Sequence, residues 1–402
     1  MKLRYLFLTL LVPFILCCNK DNTTDDSGND GKQDPVVNPT TPDDEEIAPE
    51  IKDGDYVLAT NENIEKFLTD IHYPTHDCSY SSLRSWAEEN NVKVCPGTSD
   101  RSPVYTIRWE KGAGTVTVTL TEDGREPRVY VQEEECYQEI TNLLPNTHYT
   151  FVAKDGSGKV VNQGEFTTHG KLHHLYLRPN IRNARDLGGW KTENGKTVKY
   201  RMVYRGGRLL NEYLNKKGKK EIEYEGIKAQ LDLRGHTSSG NQEYLNREDS
   251  PIVGIFGDEA EFLAPSIEEG YAQMLRDDKE KTRQCMQFIF DCVDKNKPVY
   301  FHCSLGRDRT GTVAMLTLGI LGVPEGDISQ EYELTQFAPH GYATSEGESV
   351  KMVRTVDYKG AANVIWEYAG ANGTFQQGVN KYLLEIGISQ ADIDKFIANM
   401  LQ

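Results

Sequence analysis

From Pro298 to Gly311 the chain reads Pro-Val-Tyr-Phe-His-Cys-Ser-Leu-Gly-Arg-Asp-Arg-Thr-Gly, and an apolar run follows. The pattern predicts a short strand, a loop of Cys-x5-Arg form and a helix start. That combination is suited to gripping a phosphate dianion while a thiolate attacks its phosphorus. A helix N-terminus offers unpaired backbone N–H groups and a partial positive charge. Consecutive loop N–H groups add an anion nest. Cys303 opens the loop, where such a field lowers a thiol from ~8.5 into the ~3.5–7.5 range. Arg309 closes it with a planar fork that spans two phosphate oxygens. Ser304, Leu305, Gly306, Arg307, Asp308 and Arg309 are the expected phosphate-binding residues. Gly306 permits a tight turn. Thr310 brings a hydroxyl within reach of the leaving sulfur. His302 is expected to orient the loop and help keep Cys303 ionised.

Cys-x5-Arg alone is a weak signal, because Cys78 has Arg84 and Cys95 has Arg101 at the same spacing. The first loop holds no glycine. The second is followed by Pro103-Val104-Tyr105-Thr106-Ile107, which reads as a strand, so no helix dipole points at it. Only at Cys303 do strand, glycine, arginine and helix coincide.

A departing alkoxide or phenoxide needs a proton, which calls for a carboxylic acid beside it. Three aspartates compete. Asp232 ends the strand-like Ile227–Leu231 run, and strand ends face the site in α/β sheets. Asp308 lies inside the loop. Asp258 follows Gly257 in a glycine-rich stretch. The competing reading for Asp232 is an ion pair with Arg234 or another arginine, and for Asp308 a bond that braces the loop. Arg185 and Asp186 read as a structural turn and ion pair.

His302-Cys303-x-x-Gly306-x-x-Arg309-Thr310-Gly311 resembles the phosphate loop of cysteine-dependent phosphatases, and most of all the bacterial tyrosine and lipid phosphatases with an HCxxGKDRTG loop. Asn183-Ala184-Arg185-Asp186-Leu187-Gly188-Gly189 resembles the N-x-R-D-L-G-G signature of that branch. Val203-Tyr204-Arg205 is similar to its LYRS strand, and Gln230–Arg234 to its IDLR strand end. The Gly387–Ile393 stretch is also typical of it. The resemblance covers about residues 175–402. It implies a phosphocysteine mechanism, favours Asp232 and Asp308 as proton donors, and calls for no metal or organic cofactor. Arg307 stands in place of the usual loop lysine, Gly206 in place of a serine and Ala184 in place of an aromatic residue. The first bears on substrate choice and the others on packing.

These motifs occupy the second half of 402 residues, a length that accommodates two or three domains. Lys2 and Arg4 precede an apolar stretch to Leu16, too short to span a bilayer but right for the core of a secretory leader. Ile15-Leu16-Cys17-Cys18 resembles a lipobox, which implies lipidation of Cys18 in an extracytoplasmic, membrane-anchored bacterial lipoprotein. Ordinary secretion is the alternative. Residues 19–55 read as a disordered acidic tether. From Asn19 to Asp53 eleven acids face three lysines, which is −8 of the formal −16. The charge therefore says little about the catalytic surface, and the lack of a basic patch argues against nucleic acid. Residues 56–97 stay unassigned beyond a short helix near Asn63–Ile71. His173-His174 reads as partly exposed, without metal-ligand spacing. Cys285 and Cys292 share a core stripe of a helix; Cys78, Cys95 and Cys136 stay open as to pairing.

Between residues 98 and 170, short alternating runs such as Val116–Leu120 and Tyr149–Val152 predict a β-sandwich. Leu144-Pro145 through Tyr149 resembles the tyrosine corner of fibronectin type III domains. The expected architecture is multidomain: leader 1–18, tether 19–55, sandwich 98–170, and an α/β cysteine-phosphatase domain 171–402 with a central sheet flanked by helices. The expected activity is phosphomonoester hydrolysis, with phosphoprotein tyrosine ahead of phosphoinositide or inositol phosphate. The other class is a surface protein binding protein or glycan through the sandwich, its phosphatase domain vestigial.

Overall fold

A computed structural model of the chain describes residues 53–58, 62–70, 86, 89–90, 102–172, 174–178, 181–234, 246–338 and 355–402. The leader, Cys18, nearly all of the tether, His173 and the cysteines of the two decoy loops lie outside the described residues. Residues 46–402 form one compact unit.

Twelve strands are named in chain order: β1 (Asp53–Leu58), β2 (Tyr105–Arg108), β3 (Val116–Glu122), β4 (Arg128–Gln132), β5 (Tyr137–Ile140), β6 (His148–Asp155), β7 (Val160–Gly170), β8 (Arg185–Asp186), β9 (Val203–Gly206), β10 (Ala229–Asp232), β11 (Glu261–Leu263) and β12 (Val299–His302). In β3 every second residue, Val116, Val118 and Leu120, is buried, the period of a half-covered antiparallel strand. β3 belongs to a five-stranded sheet ordered β1-β7-β6-β3-β4, while β2 and β5 form a separate pair. Ile107 and Trp109 from the β2 side and Val116, Tyr149 and Phe166 from the larger sheet meet in one core. The Tyr149 hydroxyl accepts a 2.9 Å bond from the Leu144 N–H, five residues upstream. β1 joins this sheet parallel to β7, with Asp53 opposite Glu165. The short helix Glu62–Asp70 instead packs Phe67 against Phe337 of the second half.

The second half is built on the order β11-β10-β12-β9-β8, parallel from β11 to β9. All four residues of β9, β10 and β12 are buried, as strands covered on both faces must be. Alternation sends Val203, Leu231 and Phe301 into the larger core with the helices Lys279–Asp294, Asp308–Ile320, Thr355–Ala369, Phe375–Glu385 and Gln390–Met400. Tyr204 and Tyr300 point the other way, into a core with Ile222 of the helix Lys216–Glu225. Parallel register sets Asp232, His302 and Gly206 side by side at the strand ends. Cys285 and Cys292 are buried free thiols, and burial pushes the first well above a normal thiol.

The two halves share a buried seam. Arg201 donates to Glu122 at 2.5 Å and to Glu225 at 3.2 Å, while Arg128 lies 3.4 Å from Glu225. Asn142 and Tyr176 exchange two further bonds, of 3.1 and 2.8 Å.

Candidate active site

Cys303 follows β12 directly and is 2 % exposed. Four successive carbonyls of its loop are tied down. The Cys303 carbonyl faces His302 Nδ1 at 3.3 Å, and that of Ser304 accepts from the Arg208 N–H at 3.3 Å. Asn183 Nδ2 reaches the carbonyls of Leu305 at 3.3 Å and Gly306 at 2.9 Å, and Arg205 donates to the latter at 2.7 Å. In a trans peptide the N–H points opposite to the carbonyl. Anchoring these carbonyls outward therefore turns the N–H groups of Ser304, Leu305, Gly306 and Arg307 into the bowl. Gly306 makes the turn at φ +70, and a Cβ there would lie 2.3 Å from the Gly206 backbone. Gly206 is required in its turn, because a Cβ on it would lie 1.9 Å from the Tyr300 hydroxyl. That steric limit accounts for glycine in place of the serine.

The helix Asp308–Ile320 begins at the rim of the bowl with no side-chain cap from Arg307. Its first N–H groups, unpaired within the helix, add to the anion site. Burial raises the Cys303 thiol, but Arg309 and the hydroxyl and N–H of Thr310 outweigh it and leave the thiol below its ordinary value. The buried Ser304 hydroxyl has no hydrogen-bond partner among the described residues. Arg309 is held by the Ile267 carbonyl, which accepts from it at 2.9 Å.

His302, expected to orient the loop and help keep Cys303 ionised, carries no charge of its own. It is wholly buried, and burial drives its pKa down to about 4 against the opposing pull of Asp232. The Ser250 hydroxyl donates to the Gln230 amide oxygen, which leaves the amide nitrogen to donate to His302 Nε2 at 2.9 Å. The imidazole is thus neutral, its proton on Nδ1 and directed at the Cys303 carbonyl. It orients the loop through a hydrogen bond.

The structure separates the three candidate acids. Asp232 is wholly buried and takes three side-chain bonds of 2.8–3.1 Å from Arg234, with His302 Nδ1 at 3.7 Å. Asp308 stands at the bowl, bonded to Arg307 Nε at 2.6 Å and to the Tyr271 hydroxyl. Asp258 lies in a short 3-10 turn before β11, next to Glu259, which pairs with Lys228 just ahead of β10. That is the opposite end of the sheet from Cys303.

Arg185 is a brace for the loop. Buried with Arg205, it shares Glu331: Arg185 donates at 2.8 Å and Arg205 at 2.6 Å. Asn183 also bonds to Arg185. His174, expected to be partly exposed, is buried, with Nε2 3.5 Å from Arg185. Sequence reasoning missed Glu331 and Tyr271. Tyr271 opens the helix Tyr271–Asp277 and Glu331 lies in the helix Glu325–Glu333, and neither sits in a local motif.

The profile of the tyrosine phosphatase family matches residues 178–402. A candidate tyrosine-protein phosphatase of Cupriavidus necator is 30% identical over 196 residues, which is 43% of this chain and 67% of that protein. A tyrosine-protein phosphatase of Nostoc commune is 26% identical over 200 residues, 42% of this chain and 65% of that protein. The chain thus spans about two thirds of the length of these curated relatives. Among solved structures, P. aeruginosa TpbA with bound phosphotyrosine aligns at 14% identity and a TM-score of 0.25, covering 35% of this chain and 74% of that one. The stretch the profile matches contains the bowl, both braces beneath it and every strand of the parallel sheet, and on that match the chain belongs to the tyrosine phosphatase family.

Proposed function

We propose that the protein hydrolyses phosphomonoesters, phosphotyrosine first among them, through a phosphocysteine at Cys303. The observation that carries this is the loop after Cys303, its four carbonyls anchored outward and Arg309 at its end, a setting that draws the Cys303 thiol below its ordinary value. The Cys303 thiolate attacks phosphorus in line. An S–P bond forms, the P–O bond breaks, and its electron pair leaves with the substrate oxygen, which takes a proton from Asp308. Water then attacks phosphorus, the S–P bond breaks, the thiolate is restored, and the Asp308 carboxylate takes the proton from water. Covalent catalysis divides one hard step into two, and fixed donors around the equatorial oxygens supply the largest share of the acceleration. Asp308 is preferred over Asp232 because it stands at the mouth of the bowl with a third of its side chain exposed, whereas Asp232 is wholly buried and turned onto Arg234.

A second reading, phosphoinositides or inositol phosphates, rests on Arg307. Its guanidinium sits at the rim in a pair with Asp308. A second anionic group on the substrate competes for that fork. The leader and Cys18 support an anchored extracytoplasmic protein. The Tyr149–Leu144 bond supports a fibronectin type III-like β-unit, open to protein or glycan contacts. The intact bowl argues against a vestigial domain.

The test is Cys303→Ser. Phosphate release from a phosphotyrosine peptide should vanish while vanadate binding persists. Retained turnover would remove Cys303 from the reaction. A panel of phosphotyrosine, phosphoserine and phosphoinositide substrates then ranks the two readings.

A further inference from the structure

Residues 266–271 form a wall against the bowl. The Ile267 carbonyl holds Arg309. A Cβ on Gly270 would lie 3.0 Å from the Arg309 nitrogen, so this backbone is pressed onto the start of the helix. The Tyr271 N–H donates to Thr312 Oγ1 at 2.7 Å, and its hydroxyl bonds to Asp308 Oδ1. That hydroxyl also lies 2.6 Å from the Tyr332 hydroxyl. Tyr332 is 1 % exposed and adjoins Glu331, the carboxylate that ties Arg185 and Arg205 beneath the bowl.

Tyr271 holds φ +58, a left-handed backbone that aromatic residues rarely adopt. Such strain persists only where surrounding contacts impose it, and it gathers at functional sites. Here it places the phenol between an acid at the mouth of the bowl and a second phenol in the core.

We infer that Tyr271, backed by Tyr332, is a positioning residue that holds the Asp308 carboxyl at the angle from which it protonates the leaving oxygen. This rests on Asp308 being the proton donor. Burial, then Tyr332 and Asp308, keep the Tyr271 phenol protonated far above neutral pH, so it is a standing donor to one carboxyl oxygen. The other oxygen, which Arg307 Nη2 approaches at 3.2 Å, carries the transferred proton. As that proton leaves, the bond from Tyr271 strengthens onto a full carboxylate. The wall thus favours the state formed as the leaving group departs.

The experiment compares Tyr271→Phe, Tyr332→Phe and Asp308→Asn with the unmutated protein on phenyl phosphate and on p-nitrophenyl phosphate, whose leaving group scarcely needs a proton. Tyr271→Phe should lower kcat on phenyl phosphate by roughly tenfold, a part of the ~10²–10⁴ that general acid catalysis supplies. Its loss on p-nitrophenyl phosphate should stay below about twofold on the same argument, with KM unchanged on both. Tyr332→Phe should act in the same direction and less. Equal losses on both substrates, or a loss confined to KM, would overturn the inference. So would loss of vanadate binding in Tyr271→Phe, since Tyr271 would then only support the loop. If Asp308→Asn itself lacks leaving-group dependence, the assignment of the acid fails. If Asp308→Asn shows it and Tyr271→Phe does not, only the role of Tyr271 falls.

Discussion

At the seam between the two halves, Arg128 and Arg201 meet Glu122 and Glu225, two cations to two anions. Beneath the bowl, Arg185 and Arg205 meet Glu331 as their one carboxylate among the described residues. Both networks are buried. The first is balanced, and the Tyr204 hydroxyl adds a bond to Glu225 at 3.0 Å. Among the described residues the second is one negative charge short; each network leaves one guanidinium nitrogen, Arg201 Nη2 in the first and Arg205 Nε in the second, without a hydrogen-bond partner there. A balanced buried network joins two parts without a preference for any ligand. An unbalanced one beneath a ring of inward N–H groups leaves a field that an arriving anion completes. The seam therefore reads as structure, and the network under the bowl as structure that also serves the site.

The sharpest way to break this comparison is Glu331→Gln. It leaves two buried guanidinium groups without a carboxylate, a loss of about 3–5 kcal/mol, and turnover should collapse as the loop carbonyls lose their brace. Denaturant unfolding and kcat measure both. The pH dependence carries the same signature. Arg185 and Arg205 hold the Glu331 carboxyl below its usual 4.5 despite the opposing effect of burial. Its contribution is therefore complete above about pH 4.5 and is lost as pH falls through the lower folded value. Unfolding free energy in the unmutated protein should fall over that window, and Glu331→Gln should flatten the fall.

Glu225→Gln addresses the seam. Arg128 and Arg201 keep Glu122, so stability should drop by about 2–3 kcal/mol, less than a fully broken buried pair. The kcat should stay within about twofold, because no seam residue touches the bowl; a tenfold loss at unchanged folding would erase the distinction between the two networks. The smallest effect is expected from Arg205→Lys. It keeps the charge but loses the fork that reaches Glu331 and the Gly306 carbonyl together. Stability should fall by about 1 kcal/mol, and phosphate affinity should weaken more than the fold does. The outcome to check is vanadate affinity measured beside thermal unfolding.

What is legible in the sequence follows the range of the interactions. The loop from His302 to Gly311 is contiguous, so strand, turn, nucleophile and helix start can be read together. The strand-end position of Asp232 is legible too, but its role turns on Arg234, whose rotamer no sequence pattern specifies. The orienting role of His302 follows from its place beside Cys303, whereas its neutral state depends on Gln230 and Ser250, which arrive from other elements. Gly206 looks like a departure from a family motif until Tyr300 fills its space. Arg185 reads as a turn residue because its partner Glu331 lies 146 residues away. β1 cannot be seen as a strand of the larger sheet, since its partner β7 follows more than a hundred residues later.

The central claim is that the field of the bowl, led by Arg309 and Thr310, draws the Cys303 thiol below its ordinary value. Its most direct test is the rate of alkylation of Cys303 by iodoacetamide as a function of pH, followed by mass spectrometry of the Cys303 peptide. The account predicts a midpoint clearly below the ordinary thiol value of about 8.5, moving upward in Arg309→Ala. A midpoint at or above that value, or one indifferent to Arg309, would contradict it.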